Sequence, residues 1–135
     1  MSIKIYIDQG HNPVNPNAGA EGNGLREQDL VYTIGQELAA RLRADPDFEV
    51  RLSRPTRDTL LGTTNATSLA ARVNEANRWG ADYFISLHTN AASSPSAGGS
   101  GPKISSLILA TSRRKISLAI TDATATAISL SALWR

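Results

Sequence analysis

The sequence predicts an α/β domain in three layers, a mostly parallel sheet flanked by helices. Two observations carry this: hydrophobic periods alternate between strand-like and helix-like along residues 3–88, and the composition suits one core. With 135 residues and 41% hydrophobic content, the chain can bury one core but not two ordinary ones.

Ile3-Lys4-Ile5-Tyr6-Ile7-Asp8 alternates apolar and polar, the period of a strand, and runs into Gln9-Gly10-His11-Asn12-Pro13, a cluster that reads as loop. From Glu27 to about Arg43, Leu30, Val31, Ile34, Leu38 and Leu42 fall on one helix face. Glu49 to Ser53 is the second strand. Thr67 or Ser68 is placed to cap a second helix whose buried side holds Leu69, Val73 and Ala76. Gly80 stops that helix, and Asp82 to His88 is the third strand. Strands separated by helices imply parallel pairing through right-handed crossovers. Ser93 to Pro102 is a Ser/Gly/Pro-rich connection of flexible composition. Beyond it the chain is rich in Ser, Thr, Ala, Leu and Ile, with a strand expected at Ile104–Ala110 and a helix near Ile116–Leu133. The division is therefore a core at 1–101 and an atypical tail at 102–135.

Composition removes several functions. The chain has no cysteine, hence no disulfide framework, thiolate nucleophile or Cys-type zinc site. No apolar run approaches the roughly 20 residues that cross a bilayer, and Met1 is followed by a strand rather than a signal peptide. Action outside a cell would then need a removed leader or a phage-type export route. Residues 1–102 hold nine Lys/Arg against eleven Asp/Glu, while residues 103–135 hold five against Asp122 alone. A basic surplus confined to one tail is not the footprint of a nucleic-acid protein. Arg113-Arg114-Lys115 reads most simply as a solvated cluster.

In a parallel α/β sheet, strand C-termini and helix N-termini share one edge, where ligands bind. His11 follows the first strand, His88 ends the third, and Glu27 begins the first helix. The only two histidines of the chain would meet there if the strand order is 2-1-3. Two imidazoles and a carboxylate form a hydrolytic zinc set with a fourth position left for water. Taken singly, each histidine reads as well as a loop or strand-end residue, and Glu27 as a first-turn carboxylate complementing the helix dipole. Gly19, Gly22 and Gly24 suggest a phosphate cradle but lack the order of a nucleotide-binding fingerprint.

Four segments taken together are more specific. They are Ile5-Tyr6-Ile7-Asp8-Gln9-Gly10-His11, the stretch from Gly19 to Asp29, Arg72-Val73-Asn74-Glu75-Ala76-Asn77, and the stretch from Ala81 to Ala91. They closely resemble the zinc-dependent N-acetylmuramoyl-L-alanine amidases of bacteria and their phages. The resemblance covers about residues 3–101. It implies zinc held by His11, Glu27 and His88, peptidoglycan or muropeptide as substrate, and an extracellular or cell-wall site of action. It also marks Arg72 and Asn90 as structural or substrate-facing.

The motif likeness ends there. In the family a glutamate on a late strand is the catalytic acid/base, whereas the last glutamate here is Glu75. Asp122 stands in no matching context, which leaves Glu21, in the loop near the metal edge, as the candidate shuttle. Gly101-Pro102-Lys103 sits where the family continues Gly-Thr-Glu, and loss of one base converts the codons of the second into the first. A frame change would leave the sheet without its last strands and with an unpaired edge, inviting self-association or a mobile C-terminus. The alternative function is a domain that keeps the metal and binds wall fragments without cleaving them.

Overall fold

The computed structural model describes residues 1–22 and 24–89, and the backbone of 106–111. Along the chain run β1 (Ile3–Gln9), β2 (Glu21–Gly22), β3 (Leu25–Arg26), α1 (Glu27–Arg43), β4 (Phe48–Leu52), α2 (Asn65–Trp79), β5 (Tyr83–His88) and β6 (Ser106–Thr111). The main sheet has the order β4-β1-β5-β6. β4 and β5 pair parallel to β1, and β6 pairs antiparallel to β5. In the strand count of the sequence reading, the first three take the expected order 2-1-3. The sheet also gains β6 after His88, close to the strand expected at Ile104–Ala110, so the edge of β5 is paired. Asn90, the 93–102 connection, Asp122 and the helix expected near 116–133 lie outside the described residues.

β1 is an inner strand covered on both faces, which is why its alternating pattern does not translate into one wet face. Ile5 and Ile7 point to the α1 side, where they pack with Val31, Ala39, Leu52, Ile85 and Leu87. Tyr6 points the other way and packs with Ala76, Ala81 and Phe84 under α2. The two helices therefore cover opposite faces of the sheet. Tyr6 and Phe84 stack with ring centroids 5.5 Å apart, and the Tyr6 hydroxyl donates to Glu75 Oε2 at 2.7 Å. Burial, reinforced by Glu75, pushes that hydroxyl well above its ordinary range, so it stays a donor. Each large apolar side chain in these clusters contributes roughly 1.5–3 kcal/mol by leaving water.

The second helix starts earlier than its sequence predicts. Thr64 is the N-cap, and Thr67 is the third helical residue of a reciprocal capping box, with Thr67 N donating to Thr64 Oγ1 at 3.1 Å. The hydroxyl run Thr63-Thr64 before Asn65 offers several caps of equal chemistry, and only tertiary packing selects among them. Its most buried stripe is Ser68, Arg72 and Ala76, while Leu69 and Val73 are half-buried. Gly80 ends the helix in the left-handed conformation (φ 73°), as expected of a residue without Cβ at that position.

Candidate metal centre

β1 delivers the first histidine. Beyond Gln9 the ladder continues for one more bond, Gly10 N to Leu87 O at 3.0 Å, and the chain then turns at His11, whose φ is +65°. That conformation is costly for a residue with a Cβ and needs support from its surroundings. β5 delivers His88 as its last residue, and α1 delivers Glu27 as its first. The gap between Gly10 and β5 is too narrow for a side chain. A Cβ on residue 10 would lie 2.5 Å from His88 Cε1, 2.6 Å from Leu87 O and 2.7 Å from His88 Nδ1. Gly10→Ala is expected to cost about 1–3 kcal/mol by overpacking and to turn His88 away. Thermal unfolding and zinc content of the variant check this.

The three side chains converge. His88 Nδ1 lies 3.2 Å from His11 Nε2 and 3.3 Å from Glu27 Oε1, and His11 Nε2 lies 3.1 Å from Glu27 Oε1. The imidazoles meet edge to face, with centroids 4.8 Å apart. Glu27 is buried, while His88 keeps a third of its side chain exposed, so the cluster opens to solvent on one side.

Hydrogen bonds fix the carboxylate: Glu27 Oε1 accepts from Thr89 N at 2.9 Å and Oε2 from Ala20 N at 3.3 Å. Burial alone would raise its pKa. Hydrogen bonds from His11, His88 and Thr89 N outweigh burial and hold the group well below the usual carboxylate range. The carboxylate is thus ionised beside two ring nitrogens.

These donors fit one small divalent cation. Bonds of about 2.0–2.1 Å at tetrahedral angles separate ligand atoms by about 3.3–3.4 Å, close to the observed triangle. Two ring nitrogens and a carboxylate oxygen are an intermediate-to-hard set suited to zinc. Among the described residues, this is the one group of three His, Cys, Asp or Glu side chains close enough to share an ion.

The glycine-rich stretch is not a phosphate cradle. It forms the hairpin β2–β3, closed by Glu27 N donating to Ala20 O at 2.9 Å. Arg26 on that hairpin donates to Pro13 O at 2.6 Å, tying it to the His11 loop. Glu21, the candidate shuttle, is exposed and accepts from Arg26 Nε at 3.0 Å, outside the histidine–glutamate cluster.

The resemblance leaves Arg72 structural or substrate-facing, and its placement favours the structural role: its side chain is 2% exposed and pairs with Asp8 Oδ1 at 2.6 Å. Nη1 and Nη2 are both directed at protein acceptors, and almost none of the side chain is open to solvent. The residue reasoning missed this clamp, although two charges on faces otherwise meant for the core, Asp8 in β1 and Arg72 in α2, were its signal. Nothing in the sequence indicated Thr89 N as a donor to Glu27.

Fold and site together define a class, an α/β domain with a His/Glu/His cluster able to hold a metal ion at the C-terminal edge of its parallel strands. The chain belongs to the N-acetylmuramoyl-L-alanine amidase family, which matches residues 5–128. The chain is 41% identical over 102 residues to N-acetylmuramoyl-L-alanine amidase CwlM of Bacillus licheniformis, covering 73% of this chain and 34% of that protein. It is 32% identical over 91 residues to the endolysin of Bacillus phage SPP1, covering 67% and 30%. The crystal structure of N-acetylmuramoyl-L-alanine amidase from Clostridium difficile 630 superposes with a TM-score of 0.58 at 30% identity, covering 74% of this chain and 48% of that one. The chain thus spans about a third to a half of the length of these relatives.

Proposed function

We propose that this domain binds one zinc ion through His11 Nε2, Glu27 Oε1 and His88 Nδ1 and hydrolyses the amide between N-acetylmuramic acid and L-alanine in peptidoglycan. The observation that carries the reading is the triangle of three ligand-type atoms, 3.1–3.3 Å on a side, in a chain of this family. Bound zinc would polarise the scissile carbonyl and lower the pKa of its water toward about 7. The chain's own part is positional. Gly10 lets His88 approach β1, Ala20 N and Thr89 N aim the carboxylate, and the exposed third of His88 opens the cluster to solvent. By the family likeness Asn90 is assigned to substrate binding, and the domain is assigned to the cell wall or extracellular space, where its polymer substrate lies.

Two measurements on the purified protein test this. Elemental analysis should give one zinc per chain, and cell-wall sacculi should release new amino termini in a chelator-sensitive way. Zinc-free protein, or zinc-bound protein that releases other groups from the wall, would refute the assignment. A second reading has its own support: among the described residues the cluster contains Glu27 and no other carboxylate, and no glutamate follows Glu75 in the sequence. In that reading the domain holds zinc and binds wall fragments but cleaves them slowly.

A further inference from the structure

We propose that Arg72 is a positioning residue for the metal centre, acting through the backbone of His11. The inference rests on the reading of His11, Glu27 and His88 as a zinc site and assigns a task to a residue outside it.

The guanidinium lies at the point where three strand ends meet. Nη1 donates to Asp8 Oδ1 at 2.6 Å, to Gln9 O at 2.7 Å and to Ser53 Oγ at 3.3 Å. Nη2 donates to His11 O at 2.7 Å and to Asn12 Oδ1 at 3.3 Å. Asp8 in turn accepts from Ser86 Oγ of β5 at 2.8 Å, and Asn12 bonds both N and O of Leu61. One planar group thus holds the carbonyls on both sides of Gly10 and reaches β5 through Asp8.

This matters because of the conformation of His11. Its φ of +65° is one that a residue with a Cβ leaves readily unless its neighbours hold it. His11 O is the atom that a relaxation toward negative φ would swing, and Arg72 Nη2 holds that oxygen. The ring gets no such help, since His11 Nδ1 is buried with no hydrogen-bond partner among the described residues. Ligating histidines are commonly oriented by a partner on the other ring nitrogen. Here the backbone clamp takes over that task.

Lysine is the informative substitution. It keeps the charge facing Asp8, but a single ammonium cannot reproduce the fork that reaches Gln9 O and His11 O together. Zinc affinity is measured by chelator competition on the 135-residue chain for wild type, Arg72→Lys, Asn12→Ala and His11→Ala, and for each of the first two substitutions combined with His11→Ala. Unfolding of the chelator-treated proteins is followed in parallel. Arg72→Lys should weaken zinc about 10–100-fold, the usual effect of losing an outer partner of a ligand. Asn12→Ala should weaken it less, in the same direction, and carries the test if Arg72→Lys does not fold. In the His11→Ala background both substitutions should have almost no further effect on zinc, because the residue they act through is gone. Equal losses in both backgrounds, or unchanged affinity while wild type binds zinc, overturns the inference alone. A wild type that takes up no zinc overturns the metal reading and this inference with it.

Discussion

Glu27→Gln should abolish stoichiometric zinc binding and chelator-sensitive amide hydrolysis while leaving the fold in place. Glutamine matches glutamate in shape, and its carbonyl oxygen can still accept from either Thr89 N or Ala20 N, so one of the two backbone bonds is kept. What disappears is the one negative charge in the cluster. A neutral amide oxygen beside two imidazoles is a poor site for a divalent cation, and the loss should exceed the roughly 10–100-fold expected from disturbing an outer partner. Glu27→Ala is less clean, because it also strands two backbone donors at about 1–3 kcal/mol for each one that is buried. The checks are zinc content, amine release from sacculi and thermal unfolding on one preparation. Full zinc occupancy in Glu27→Gln would remove Glu27 from the ligand set and return it to the part of a helix-dipole carboxylate.

The local elements were legible because their patterns are strong and their neighbours agree with them. Glu27–Arg43 reads as a helix from its apolar spacing and is one, and the strand ends at Leu52, Gln9 and His88 lie within a residue or so of their sequence estimates. His11 and His88 were legible as a pair because the βα order sends both to one edge, a consequence of topology that needs no coordinates. Glu27 was different. Its residue type suited a helix start equally well, and the family motif rather than spacing distinguished the two.

What was hidden depends on contacts between distant segments. The hairpin Glu21–Arg26 has only two residues per strand and is held by Ala20, Pro13 and the helix start, so no period could announce it. The cap at Thr64 lost to Thr67 in the reading because both are threonines, and only the geometry separates cap from third residue. The role of Arg72 was left open for a more general reason. A buried guanidinium is tolerable only with partners, and its partners Asp8, Gln9 and His11 lie more than 60 residues away.

The last expectation concerns rate. The 135-residue polypeptide should release amino termini from peptidoglycan about 10²–10⁴-fold more slowly than a longer member of the family assayed beside it, the usual worth of general acid–base help. Amide hydrolysis needs a group that takes a proton from water and passes it to the leaving amine. Glu27 cannot serve, because its Oε1 belongs to the ligand triangle and hydrogen bonds hold the carboxylate ionised. Asp8 is buried and committed to Arg72 and Ser86. Glu21 is exposed and paired with Arg26, and Arg26 in turn is tied to Pro13 O, which holds the hairpin rather than freeing it to swing. Glu75 lies on the α2 face with its carboxylate on the Tyr6 hydroxyl. No described carboxylate other than Glu27 lies in the histidine–glutamate cluster, so none is placed to move the proton beside the proposed ligand set. The comparison must be made at equal zinc occupancy, so that a slow rate reports the missing shuttle and not an empty site. Turnover equal to the longer relative would place the shuttle within these residues, and Glu21→Gln would then identify it by losing the rate while keeping the zinc.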